Sequence, residues 1–407
     1  MPTWEMICGQ GSALALSAST TYYFSIPGAI GEELQTTEAN AQLAANAAST
    51  LANFFVRASA NATTADSTAR SRVGGANGNM SVTIIAGTTG AFEDTTNTDS
   101  LAAGNLYNAQ VVVGAGGTLT LTIIATTLQD TASNLAILAS TSSPNLSADG
   151  LFPVSGISDA RTPESNSQYP FRAATTLSNM RIRISANTRD GTSTVRTRVN
   201  GANGAQSVSI AANTTGTFED STNTDTVVAG DLVNYQLAIG GTIGSMSIAV
   251  AQLRSNSVER QLVCANPGSP STAVDRYVVA EGRLAFSFTT ETETQRTART
   301  GFRARNMAVR VPTAGAHGGS SVYLRQNGAN TVLTVTVGDN TTGLFEDTTN
   351  TVNIVAGDTY NYLVDHGGGA GAFVCSFIGI EQAQAVTAAG ARSYPRGPMR
   401  GVLRGVA

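Results

Sequence analysis

Apolar and polar residues alternate one for one along much of the chain. Met180, Ile182 and Ile184 interleave with Arg181 and Arg183, and Val195, Thr197 and Val199 with Arg196 and Arg198. The same alternation runs through Leu119/Leu121/Ile123, Val208/Ile210, Met246/Ile248/Val250 and Leu333/Val335/Val337. Period two is the mark of a strand with one buried face. Clusters of Gly, Asn, Asp, Ser and Thr, such as Asn200 to Gly204 and Gly367 to Gly371, separate these runs and read as turns. The alanine-rich stretch from Glu38 to Phe55 has helical propensity, but its counterpart later in the chain holds Tyr169-Pro170 and several threonines. Loop and strand are therefore expected there, with at most a short helical turn in the first instance.

The pattern is written three times. Thr88-Thr-Gly-Ala-Phe-Glu-Asp-Thr-Thr-Asn-Thr98 returns at Thr214–Thr224 and Thr341–Thr351, at spacings of 126 and 127 residues. The same offsets carry Gln42 onto Gln168 and Gln295, Asn53 onto Asn179 and Asn306, and Arg72 onto Arg198 and Arg325. A unit of that length is a domain with its own core, far longer than a solenoid repeat. The expected fold is all-β: three tandem antiparallel β-sandwich domains of jelly-roll type, at 1–131, 132–257 and 258–385, followed by an extended arm at 386–407.

Composition narrows the chemistry. All 24 residues of the Lys+Arg class are arginine, which excludes P-loop, kinase and lysine Schiff-base chemistry. His317, His366, Cys8, Cys264 and Cys375 make no standard zinc spacing. Both histidines adjoin glycines and are expected in loops; Cys375 is expected in the core, and an inter-subunit disulfide through Cys8 or Cys264 is the alternative to free thiols. No Gly-x-Ser-x-Gly elbow stands beside a plausible histidine, so no catalytic residue or cofactor is expected. A net charge of −4 argues against nucleic acid, no apolar run is long enough for a membrane helix, and the N-terminus lacks the form of a secretory signal.

Two repeated patterns remain as candidate sites. Glu93, Asp94 and Asp99, with Glu219, Asp220 and Asp225, offer oxygen ligands for calcium. Val352 replaces the last aspartate in the third copy, however, and the competing reading is that Asp and Asn brace their own turns. Arg181, Arg183, Arg196 and Arg198 alternate with apolar residues, so their heads are expected on the solvent face, paired with acids such as Glu219 and Asp220 or docking an acidic partner. The tail carries Arg392, Arg396, Arg400 and Arg404 without an acid, net +4, against −6 for residues 1–131. It reads as an arm that reaches onto an acidic neighbouring subunit.

From Gly216 to Asp231 the turn and strand pattern resembles the β-sandwich modules of tailed-bacteriophage structural proteins, found in head decoration proteins and fibres. The resemblance implies a building block without catalysis and transfers no functional residue. The resulting expectation is a virion structural protein on the particle exterior, a capsid decoration protein first and a head, neck or tail fibre component second. Its partners are then other virion proteins and copies of itself. The alternative from another class is a carbohydrate-binding adhesin that contacts a host glycan through aromatic platforms.

Overall fold

The structure is a computed structural model that describes residues 3–9, 15–29, 34–130, 135–141, 145–156, 162–257, 259–265, 274–284 and 288–384. It is all-β, with single turns of 3-10 helix at Glu38–Asn40, Glu164–Asn166 and Glu291–Glu293. That turn is present in every copy, including the second, whose Tyr169-Pro170 and threonines argue against a helix.

Eight principal strands recur in each third of the chain. The first set is β1 (Thr3–Gly9), β2 (Thr21–Phe24), β3 (Ser49–Asn61), β4 (Ser67–Val73), β5 (Ala76–Ile84), β6 (Gly90–Leu101), β7 (Leu106–Val112) and β8 (Thr118–Asp130). The second is β9 (Leu135–Thr141), β10 (Gly150–Phe152), β11 (Thr175–Asn187), β12 (Ser193–Val199), β13 (Ala202–Ile210), β14 (Gly216–Val227), β15 (Leu232–Ala238) and β16 (Met246–Asn256). The third is β17 (Glu259–Ala265), β18 (Arg276–Val278), β19 (Phe302–Val311), β20 (Ser320–Gln326), β21 (Ala329–Val337), β22 (Gly343–Ile354), β23 (Thr359–Asp365) and β24 (Phe377–Gln384).

Their pairing is the same each time. One sheet runs β1-β8-β3-β6, its counterparts β9-β16-β11-β14 and β17-β24-β19-β22; the other runs β2-β7-β4-β5, then β10-β15-β12-β13 and β18-β23-β20-β21. Placing the first strand beside the last, and the second beside the seventh, is jelly-roll topology.

The sequence landmarks have local reasons. Asn53, Asn179 and Asn306 have φ of 56°, 52° and 52°, each where the ladder to the partner strand shifts register. An asparagine tolerates that left-handed backbone better than most residues, so the repeated asparagine marks a repeated bulge. Asn200-Gly201 and Asn327-Gly328 turn the β12–β13 and β20–β21 hairpins with positive φ at both positions, and Gly74-Gly75 does so between β4 and β5. Tight two-residue hairpin turns require that geometry.

Each pair of sheets closes over apolar residues from the alternating strands. In the second, Met180, Ile182, Ile184, Val195, Ile210 and Leu237 share one cluster. The cores also reach across repeats. Ile7, Phe55 and Ile123 join the core of the third copy, Ile137 and Val250 join that of the first, and Tyr169 packs with Val263, Ala308 and Phe377.

Candidate functional site

The most constructed surfaces of the molecule lie between the repeats, and they are cyclic. Each 3-10 turn, with the loop that follows it, docks on the sheet of the next repeat. From the first copy, Gln42 accepts a bond from Arg181 Nη1 at 2.9 Å, Asn40 accepts from Arg183 Nε at 3.1 Å, and Gln252 clamps the Ala44 backbone at 2.9 and 2.8 Å. From the second, Ser165 meets Arg310 Nη2 at 2.7 Å, the Arg172 amide donates to Glu381 at 3.1 Å, and its guanidinium pairs with Glu346. From the third, Arg299 pairs with Glu93, and Arg296 meets Glu5 at 3.1 Å and lies 4.6 Å over the Phe55 ring. First docks on second, second on third, third on first. The three jelly rolls therefore close a ring around a pseudo-threefold axis rather than standing in a line.

Each docking loop is held by its own repeat. Arg72 forks onto Glu38 at 2.8 and 2.9 Å, Arg198 onto Glu164 at 2.5 and 3.1 Å, and Arg325 onto Glu291 at 2.9 Å through both nitrogens. Bidentate pairing fixes direction as well as distance.

The backbones of the three copies approach where each first strand bridges a short parallel partner: Cys8 with Gly28, Ser140 with Gly156, Cys264 with Gly282. A side chain on Gly9 would land on the Glu281 carbonyl oxygen, and one on Gly156 would press on Ala265 and Gly282. At the junction of third and first copies, Glu5, Arg260, Glu281 and Arg296 are wholly buried. Glu281 pairs with Arg260 and accepts the Ile7 amide at 3.0 Å; Arg260 donates to the Glu5 carbonyl at 2.9 Å; Glu5 also accepts the Arg299 and Thr300 amides at 2.6 and 3.0 Å. Burial pushes the Glu281 carboxyl up, against the opposing pull of Arg260.

The arginines singled out by alternation have divided roles. Arg181 is only 6% exposed, which corrects its expected place on the solvent face. It and Arg183 bind the neighbouring repeat of the same chain. Arg198 braces its own docking loop, and Arg189 is buried with its guanidinium on the carbonyls of Gly240, Gly241 and Gly244. Arg196 is half-buried on β12 opposite Ser207 and Gln236. Arg392, Arg396, Arg400 and Arg404 lie outside the described residues.

The acids do not converge on a common point. Asp94 accepts the amides of Ser81, Thr96 and Asn97 at 3.0, 3.2 and 3.0 Å, and Asp220 does the same for Ser207, Thr222 and Asn223 at 2.9, 3.2 and 3.0 Å. Burial alone would raise these carboxyls, but the summed hydrogen bonds outweigh it and hold both at about 2. Asp99 takes the Ser71 hydroxyl and the Asn79 amide, and Asp225 takes Thr197 and Ala205. Glu93 and Glu219 are engaged by Arg299 and Arg181. Among the described residues no three Asp, Glu, His or Cys side chains gather as a metal site. The aspartates that suggested calcium serve as turn and strand braces.

Cys8, Cys264 and Cys375 are free and buried, and burial raises each thiol. Both histidines lie in loops, as expected, yet both are buried: His317 is fully buried against Phe373 and 2.9 Å from the Ser320 hydroxyl, and His366 is 7% exposed. No helix among the described residues is long and apolar enough to cross a membrane.

No family model matches the chain, and no curated protein matches it. Solved structures do. One, described as the triple jelly roll fold and turret assembly of an archaeal virus, is 12% identical over 93% of this chain and 90% of that one, with a TM-score of 0.21. A second, from Sulfolobus turreted icosahedral virus, is 12% identical over 91% and 90%, also at 0.21. A third, a mycobacterial arabinofuranosyltransferase, is 9% identical over 94% of this chain and 37% of that one, at 0.16. Scores this low leave the function to the chain's own geometry.

Proposed function

We propose that this chain is a non-enzymatic structural protein of a virion, displayed on the particle exterior as a capsid decoration protein. On this reading it is three domains, at 1–131, 132–257 and 258–385, with the tail from 386 as its attachment arm. The observation that carries the proposal is the closed pseudo-threefold ring. A body whose three similar faces are related by near-threefold symmetry presents the same surface three times, which suits a threefold or quasi-threefold position on a shell. Its interior chemistry is spent on holding that shape: arginines fork onto glutamates and aspartates brace turns. Among the described residues every aromatic side chain is buried or half-buried, so a flat stacking platform of the kind a glycan-binding adhesin uses is not supported on the described surface.

The test is cryo-electron microscopy of particles from cells expressing this chain, with and without it. Density of three-lobed shape on the shell, lost with the chain, supports the reading; a soluble monomer that never enters particles overturns it. Substituting the four tail arginines by glutamine distinguishes the arm, since the ring should persist while particle association falls.

A further inference from the structure

The three docking surfaces are built on one plan, and one of them lacks a part. Position for position, Asn46 corresponds to Arg172 and Arg299, and Glu219 corresponds to Glu346 and Glu93. In two interfaces the loop arginine reaches the sheet glutamate. In the interface between first and second copies the loop residue is the short Asn46, and a cavity of about 240 Å³ opens there, lined among others by Asn46, Leu106, Arg181, Glu219, Asp220 and Gln252. That volume falls below the roughly 300–1,000 Å³ of drug-sized pockets and suits a single side chain.

Two further observations give the vacancy a chemistry. The Glu219 side chain is 54% exposed, against 24% for Glu346 and 19% for Glu93, so it keeps an open flank although Arg181 holds its other side at 2.9 Å. Asn46 Nδ2 is buried without a hydrogen-bond partner, which calls for an acceptor. The lining carries one cation, Arg181, against two anions, Glu219 and Asp220.

We propose that this cavity binds an arginine residue presented by a polypeptide, its guanidinium on Glu219 and a carbonyl oxygen on Asn46 Nδ2. The guest supplies from outside what Arg172 and Arg299 supply from within. Guanidinium is favoured over ammonium because its planar fork can share a carboxylate already engaged by Arg181. Its source is this chain's own tail, whose Arg392, Arg396, Arg400 and Arg404 come with no acid and complement the net negative lining. The site goes beyond the virion role and does not depend on it.

The test titrates N-acetyl-arginine N-methylamide into the full-length protein, followed by NMR shifts of Asn46 and Glu219. Glu219→Gln should weaken binding at least tenfold. Asn46→Arg should abolish it and raise the melting temperature, because the missing interface pair is restored. The lysine analogue should bind several-fold more weakly. Binding seen only after the four tail arginines are changed to glutamine supports the tail as guest; equal binding in both backgrounds overturns that assignment and points to another chain. No binding in either background, or binding unaffected by Glu219→Gln, overturns the proposal.

Discussion

The Thr197 hydroxyl donates to Asp225 at 2.5 Å inside the second jelly roll, and the positions corresponding to this pair in the third are Leu324 and Val352. In the first copy Ser71 and Asp99 keep the polar version. A third position follows suit. Gly78 and Gly204 leave no room beside these carboxylates for a side chain, whereas Thr331 stands there in the third copy and donates to the Leu324 carbonyl at 2.8 Å. Where two copies hold a buried carboxylate with its donor, the third holds an apolar pair. Asp225→Val alone should therefore cost about 1–3 kcal/mol, because Thr197 and the Ala205 amide lose their acceptor. Adding Thr197→Leu and Gly204→Thr should recover much of that loss, a coupling of about 0.5–3 kcal/mol readable by urea denaturation.

The turn aspartates make stability acid-sensitive. Asp94 and Asp220 sit at about 2 in the folded protein, below the usual unfolded value of about 3.9. Their contribution is therefore present above about pH 4 and lost as pH falls towards about 2. Asp220→Ala should cost about 1–3 kcal/mol at neutral pH and flatten the acid limb of a plot of melting temperature against pH.

Since those carboxylates are occupied by amides and hydroxyls, calcium should add nothing to them. Melting temperatures in the presence of calcium and of a chelator should coincide; a rise of several degrees with calcium would restore the metal reading.

Closure of the ring depends on the buried charges between third and first copies. Glu281→Gln leaves Arg260 buried without its counter-ion, and breaking one partner of such a pair costs about 3–5 kcal/mol. Arg72→Gln, which breaks a fork on Glu38 that keeps some contact with solvent, at 12% and 19% side-chain exposure, should cost less. Parallel thermal melts should rank them in that order.

The thiols should be silent. Cys8, Cys264 and Cys375 are buried with raised pKa, so a thiol reagent should label none in the native state and all three after denaturation. Labelling of Cys8 in the folded protein would show that the first strand opens.

Much of the fold is legible in the residues because strands announce themselves locally. Alternation at Met180–Ile184, the Asn-Gly turn at 200–201 and the recurrence of Asn53, Asn179 and Asn306 each reflect backbone geometry confined to a few neighbours. Even the braced turns could be read, since Asp94 bonds residues two and three positions on. The docking surfaces could not. Arg181 and Arg183 look alike beside Arg196 and Arg198, yet two bind another repeat, one braces a loop and one lies half-buried on its own strand, because strand alternation assigns a face without saying what covers it.

The sequence by itself therefore determined the all-β character, the threefold recurrence and the turn chemistry, all set by interactions between near neighbours. Only the tertiary structure decided that the copies close into a ring, that Glu5 and Glu281 are buried at its junction, and that Asn46 leaves one interface short of an arginine. Those outcomes rest on contacts between residues more than a hundred positions apart, whose partners are chosen by packing rather than by spacing along the chain.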